Sequence, residues 1–278
     1  MRDHSSIEIA GKTVGAGNPA FIVAEVGINH NGDLDLAHKL VDGAADVGAD
    51  AIKFQTIDAN ASYVPGTPSH EVFSGASLTL DQYKELARHC EERGIIFFTT
   101  PGDWPSLEIC RNLSVPAIKI SSGLMTNLPV LLEASRMQVP LVISTGGAYL
   151  WEIGQVVHRL EAVGMTDLAL LHCVSIYPAS DDKLNLKAIG AMQAAFPYTI
   201  GYSDHSLGKV APLAAVTLGA SLIEKHFTIS KKLPGGDNFL SSEPAEFREM
   251  IQEIRNCEKM LKGGDKRPHL DEIEFRSA

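Results

Sequence analysis

The chain has 278 residues, of which 45% are hydrophobic and 21% charged, with a formal net charge of −10 and a pI near 5.4. One α/β domain accommodates that length. An acidic chain without a basic block argues against a nucleic-acid or anionic-membrane surface as its working face.

No apolar run approaches the roughly 20 residues of a membrane helix, and the start MRDHSSIEIAGKTVG lacks an apolar run after a basic segment, so a cytoplasmic location is expected. Cys90, Cys110, Cys173 and Cys257 are scattered without a CxxC pair and are expected to be reduced thiols.

In chain order, residues 7–20 alternate apolar and polar positions about a Gly. That pattern predicts, within segment 1–20, an N-terminal β-hairpin that plugs the bottom of a barrel. Short apolar runs then predict strands at FIVAEV (21–26), DAIKFQ (50–55), IIFFTT (95–100), AIKI (117–120), LVIST (141–145), LALLHCV (168–174), YTIGYS (198–203) and SLIEKHF (221–227). Between them, stretches such as DLDLAHKLVDGAADVG, LTLDQYKELARHCEERG and LWEIGQVVHRLEAVG repeat apolar residues at three- and four-residue spacing. Gly48, Gly94 and Gly164 stand where helix C-caps belong. Eight βα alternations over 21–262 predict a closed (β/α)8 TIM barrel. A doubly wound open sheet is the structural alternative, disfavoured because nothing like GxGxxG follows the first strand. The connection 56–77 is too long for a simple turn and reads as a lid or substrate wall. The polar stretch 263–278 carries Gly and Pro and reads as a linker or frayed tail.

A barrel enzyme builds its site at the C-terminal ends of its strands. Those ends carry Glu25, Lys53 with Gln55, Thr100, Lys119 with Ser121 and Ser122, Ser144, Ser175 with Tyr177, Ser203 with Asp204 and His205, then Glu224 with His226. Strand alternation puts Lys53 with Gln55 on one face and Glu224 with His226 on one face, Lys225 lying opposite. A lysine between apolar neighbours in a buried strand is costly unless something negative meets it. Lys53 and Lys119 therefore converge on a phosphate or carboxylate ligand, or each pairs with a carboxylate such as Glu25 or Glu224. Hydroxyls at Thr100, Ser122, Ser144 and Ser203 suit the surroundings of a dianion as donors. His205 and His226 end neighbouring strands about 5 Å apart, where two imidazoles can share one Mn2+, Fe2+, Co2+ or Zn2+ ion with oxygens from water and substrate.

The segments FIVAEVGINHNGDLDLAHKLVDGAADVGADAIKFQT, FFTTP, IKISSG, ISTGG, LLHCVSIYP, GYSDHS, IEKHF and LPGGDN, between about residues 7 and 262, resemble the sialic acid (N-acetylneuraminate) synthases. The resemblance implies a carbon–carbon bond-forming transferase that condenses phosphoenolpyruvate with an aldose such as N-acetylmannosamine, or its 6-phosphate. The products would be a nonulosonic acid and phosphate. By the same resemblance Lys53, Thr100, Lys119, Ser122, Ser144 and Ser203 hold the phosphate and carboxylate of phosphoenolpyruvate, with Ser175 where some members carry Asn. His205 and His226 correspond to the ligands of a divalent metal, Mn2+ or Mg2+, acting as a Lewis acid toward the sugar aldehyde. By the same resemblance Glu25, Gln55, Tyr177 and Asp237 match positions that would face the open-chain sugar. Glu25, Lys53, Lys119, His205 and His226 form the implied catalytic set, with Glu25 orienting or deprotonating groups near the aldehyde.

The sequence departs from this pattern at two places. Leu124 in IKISSGLMTN stands where the family usually has Glu, so either Glu25 or Glu224 substitutes or the activity is altered. Family members commonly continue into an antifreeze-like domain, which in a homodimer offers an Arg to the sugar's N-acyl group on the partner barrel. The present sequence matches the catalytic barrel only, which leaves the sugar pocket more open and makes the 56–77 connection a candidate cover. Two other functions compete: a related ulosonic acid synthase using a different aldose or sugar phosphate, marked by Lys and Arg in the sugar half of the mouth, and a non-catalytic sugar-binding barrel.

Overall fold

Strands β1 (Ile7–Ile9) and β2 (Lys12–Val14) pair antiparallel, with Ile7 opposite Val14. The computed structural model describes residues 6–15 and 17–277, so Met1–Ser5 and Ala16 of the expected 1–20 segment lie outside the described residues. Ile7, Ile9 and Val14 are buried against Phe21, Val23, Ala51, Phe98 and Leu222 at the base of the barrel, which is the plug expected of the hairpin.

Eight parallel strands close the barrel: β3 (Phe21–Gly27), β4 (Ala51–Thr56), β5 (Ile96–Pro101), β6 (Ile118–Ile120), β7 (Leu141–Ser144), β8 (Leu168–Cys173), β9 (Thr199–Asp204) and β10 (Leu222–His226). They lie in sequential order, and β10 returns to pair with β3. Each strand coincides with an expected run to within a residue or so.

Alternation explains how one strand serves both core and site. The outward series, such as Ile22, Ala24 and Val26 on β3 and Ile52 and Phe54 on β4, packs under the helices in the main core. The inward series begins apolar and becomes polar toward the C-terminal end: Phe21, Val23, Glu25; Ala51, Lys53, Gln55; Ala117, Lys119; Val142, Ser144; Leu222, Glu224, His226. The apolar lower layers fill the barrel and raise the polar layer to its mouth.

The helices are α1 (Leu34–Asp46), α2 (Ala59–Ser62), α3 (Pro68–Gly75), α4 (Leu80–Glu92), α5 (Trp104–Leu113), α6 (Leu128–Ser135), α7 (Leu150–Glu161), α8 (Ala188–Ala195), α9 (Val210–Thr217), α10 (Pro244–Met260) and α11 (Leu270–Ile273). Asp33, Thr79 and Asp103 cap α1, α4 and α5 by accepting from first-turn amides. Gly48, Gly94 and Gly164 follow α1, α4 and α7 with φ of 83°, 67° and 81°, the left-handed conformation that ends a helix cheaply only in glycine.

Two stretches differ from expectation. The 56–77 connection is not open coil: Asp58 caps α2, and Thr67 with Pro68 starts α3. The tail after Gly263 includes α11 and a 3-10 turn at Glu274–Ser277. Among the described residues no helix is long and apolar enough to cross a membrane.

Candidate active site

A cavity of about 250 Å³ opens at the C-terminal end of the barrel. Every predicted site residue except Asp237 lines it, joined by Ser121, Gly123, Cys173 and Glu224. A larger cleft of about 770 Å³ lies at the opposite end, near Asn18, Ala220 and Arg255. There Arg255 and Glu258 bond each other and the backbone of Ala20, so these groups are already satisfied. The smaller cavity is where reactive groups converge.

Its floor is a buried four-charge cluster. Lys53 Nζ forms an ion pair with Glu25, donates to Thr100 Oγ1 at 2.7 Å and stands 3.8 Å from Glu224 Oε2. Lys119 Nζ donates to Ser144 Oγ at 2.6 Å and to Ile120 O at 3.2 Å, and lies 3.7 Å from Glu224 Oε1. Glu224 also accepts from Ser203 Oγ at 2.9 Å. The sequence left two roles open for the lysines, and the structure shows that they meet carboxylates while still facing the cavity.

The cluster splits its two carboxylates. Burial pushes Glu25 up to about 7; Lys53 opposes that rise and the charge of Glu224 adds to it. Burial acts on Glu224 in the same sense, but Lys119 and Lys53 outweigh it and hold that carboxyl below its ordinary range. Burial also lowers Lys119, partly offset by Glu224. One carboxylate near a lysine pair is thus ionised while the other can carry a proton near neutrality, the division an acid–base site needs.

The remaining wall is shaped for close approach. Gly146 N–H donates to Ser122 Oγ at 2.9 Å, and a Cβ on Gly146 would lie 2.2 Å from Ser175 Oγ. Only glycine leaves that corner of the cavity open.

His205 and His226 face each other with ring centroids 5.5 Å apart, and the Tyr177 ring lies 4.0 Å from that of His205. His205 Nδ1 donates to Val174 O at 2.7 Å, which leaves Nε2 as the nitrogen with a free lone pair. His226 Nδ1 is buried with no hydrogen-bond partner and stands 3.8 Å from Asp237 Oδ2. Burial first, then His205 and the lysines, holds the His226 imidazole neutral by lowering it well below its ordinary value. Two facing imidazoles, one with its Nδ1 orphaned and the other with Nε2 free, fit a divalent ion. No group of three or more His, Cys, Asp or Glu is gathered for a metal among the described residues, so water and substrate oxygens would complete the coordination.

A model of the NeuB family matches residues 40–266. The chain belongs to the NeuB family. Against the N,N'-diacetyllegionaminic acid synthase of Legionella pneumophila its identity is 38% over 284 residues, covering 96% of this chain and 80% of the relative. Against the human N-acetylneuraminate-9-phosphate synthase it is 35% over 265 residues, covering 90% and 74%. The crystal structure of an N-acetylneuraminic acid synthetase from Leptospira borgpetersenii superposes with a TM-score of 0.93 at 34% identity, covering 99% of this chain and 97% of that one. As a NeuB-family member the chain is a carbon–carbon bond-forming transferase of carbohydrate biosynthesis, which sets aside the non-catalytic barrel.

Two features of this NeuB-family chain, the 56–77 connection and Cys173, were read differently from sequence, whereas Leu124 stands as expected. The 56–77 connection contributes no residue to the cavity wall. It folds back on itself through stacked Tyr63 and Phe73 rings 5.0 Å apart, and Asp58 N–H and Ser62 Oγ both bond Asp103 at 2.8 Å. Leu124 packs partly buried against the core, so the cavity's carboxylates are Glu25 and Glu224. Cys173, set aside as a scattered thiol, reaches the cavity with Sγ 3.8 Å from His205 Nδ1. The two-residue period from Leu171 through Cys173 to Ser175 was the signal that pointed there.

His30 was also passed over. Its ring is fully buried beside Phe54, with centroids 5.7 Å apart. Burial lowers its pKa from 6.5 to about 4, opposed weakly by Asp33. A lowered histidine favours the neutral folded form, so its contribution is present above pH 6.5 and is lost as pH falls toward 4. The loss reaches about 3 kcal/mol. Urea unfolding from pH 7 to 4 should show a shallower acid-side decline in His30→Gln than in the wild type. Parallel declines would refute this account.

Proposed function

We propose that the chain condenses phosphoenolpyruvate with the aldehyde form of a neutral N-acyl aldose, giving a nonulosonic acid and phosphate in the cytoplasm. The observation that carries this reading is one cavity holding both a two-lysine, multi-hydroxyl anion cradle and a pair of facing imidazoles. A divalent ion, Mn2+ or Mg2+, held by His205 and His226, would supply Lewis acidity toward the aldehyde oxygen.

The reaction joins C3 of phosphoenolpyruvate to the aldehyde carbon, adds water at C2 and expels phosphate by C–O cleavage. Lys53 and Lys119, with Thr100, Ser122, Ser144, Ser175 and Ser203, hold the phosphate and carboxylate in register through charge-assisted hydrogen bonds. Glu25, with its pKa raised to about 7, is the group able to exchange a proton beside the aldehyde. It takes the part that Leu124 cannot perform. Gln55, Tyr177 and Asp237 face the sugar chain.

Beyond Lys53, Lys119 and the two histidines, the cavity wall includes no cation for a second phosphate. That lining favours a neutral aldose over a sugar phosphate. Phosphate release should be measured with phosphoenolpyruvate, Mn2+ and a panel of N-acyl aldoses and their 6-phosphates. Release with a neutral aldose and a product mass of the joined acid is the expected result. Preference for a 6-phosphate would refute the substrate class, and no release with any aldose would refute the reaction.

A further inference from the structure

We infer that Asn29, which lines no part of the cavity, is a positioning residue that sets Asp237 against His226. The inference rests on the proposed sugar-facing role of Asp237.

Asn29 follows β3 in the turn INHNG and is fully buried. Its Nδ2 donates to Phe227 O at 2.9 Å and to Ser241 Oγ at 3.0 Å. Its Oδ1 accepts from Asp237 N–H at 2.8 Å. Two acceptors on one side and a backbone donor on the other allow a single orientation of the amide. Phe227 is the residue after His226, so one side chain ties the end of β10 to the loop that presents Asp237.

The other side of Asp237 is held as firmly. Its carbonyl accepts from Ser241 Oγ at 2.7 Å. Gly235 and Gly236 have φ of 69° and 52°, and a Cβ on Gly236 would lie 2.7 Å from Asn29 Oδ1. The loop therefore touches the Asn29 amide directly and needs glycine twice over, for conformation and for space. By contrast no hydrogen bond restrains the Asp237 carboxylate among the described contacts; the His226 imidazole stands beside it, with Nδ1 at 3.8 Å. The backbone of Asp237 is fixed while its carboxylate is presented, which is how a supporting residue preorganises a reactive one.

In Asn29→Ala the Michaelis constant for the aldose should rise roughly ten- to a hundredfold, as expected for a reacting group displaced by about 1 Å. That for phosphoenolpyruvate should stay within about twofold, since no anion-cradle residue is touched. Ser241→Ala loosens the same loop with a smaller side-chain change and should give a smaller rise in the same direction, which keeps the test available if Asn29→Ala does not fold. The double variant Asn29→Ala/Asp237→Ala should be no worse toward the aldose than Asp237→Ala alone, because both changes remove one function. Amide exchange over 234–241 should accelerate at least about tenfold in Asn29→Ala, with β4 to β8 unchanged.

Multiplicative losses in the double variant would overturn the inference, as would unchanged exchange over 234–241. A wild type that releases no phosphate with any aldose would instead sink the proposed reaction, leaving amide exchange to judge the clamp. If Asp237→Ala keeps a normal aldose constant in an active enzyme, the sugar-facing role of Asp237 and the inference fall together.

Discussion

Lys53→Met is expected to lower kcat/KM for phosphoenolpyruvate by roughly a thousandfold or more, on the scale of losing a preorganised charged donor from a buried site. Lys53 is 2% exposed and contacts Glu25, Thr100 and Glu224 at once. Methionine conserves volume and removes the charge, so the comparison isolates electrostatics. The effect on stability should depend on pH. Without Lys53 the Glu25 carboxyl, already raised to about 7, is pushed higher. A carboxyl raised in the folded state loses stability as pH rises above its unfolded value, so the variant should be closest to wild type at pH 6 and weakest at pH 8. Thermal melts at the two pH values check the sign, and phosphate release against phosphoenolpyruvate concentration checks the rate. A variant with a normal constant for phosphoenolpyruvate would show that Lys53 serves only to neutralise Glu25.

His205→Ala is the second large effect. Turnover should fall roughly a thousandfold or more, the several kcal/mol that a Lewis acid contributes, and metal bound to the purified chain should drop to background. The ring projects into the cavity and its Nδ1 makes one backbone hydrogen bond, to Val174 O, so the far-ultraviolet dichroism should be unchanged. A chelator should reproduce the loss in the wild type, with recovery on adding Mn2+. A His205→Ala protein with full metal content and full turnover would remove this histidine from the proposed site.

The two residues differ in how they could be found. Lys53 was conspicuous because a charge stood among apolar strand residues, and such a group must meet an opposite charge. Glu25 and Glu224 were legible only as candidates, set against a bound phosphate or carboxylate, and that Lys53 meets both was not. Glu25 lies beside Lys53 in the register of β3 with β4, but Glu224 comes from β10, which is distant in sequence and adjacent only after closure. Asn29 gave no signal at all, since a turn asparagine usually serves its own backbone. Here its amide reaches Asp237, 208 residues away.

The sequence by itself determined the order of eight strands and helices, the inward face of each strand, and the presence of two lysines and two histidines at strand ends. These are local properties: side-chain period, capping residues and the cost of an isolated buried charge act within a few residues. Tertiary structure decided the rest. Closure placed His226 opposite Glu25 through the β10–β3 pairing and joined Lys53 and Lys119 through Glu224. It also folded 56–77 away from the cavity wall and brought the INHNG turn onto the Asp237 loop. Such contacts depend on strand register and on the few ångströms separating side chains across a closed barrel, which no short-range pattern encodes.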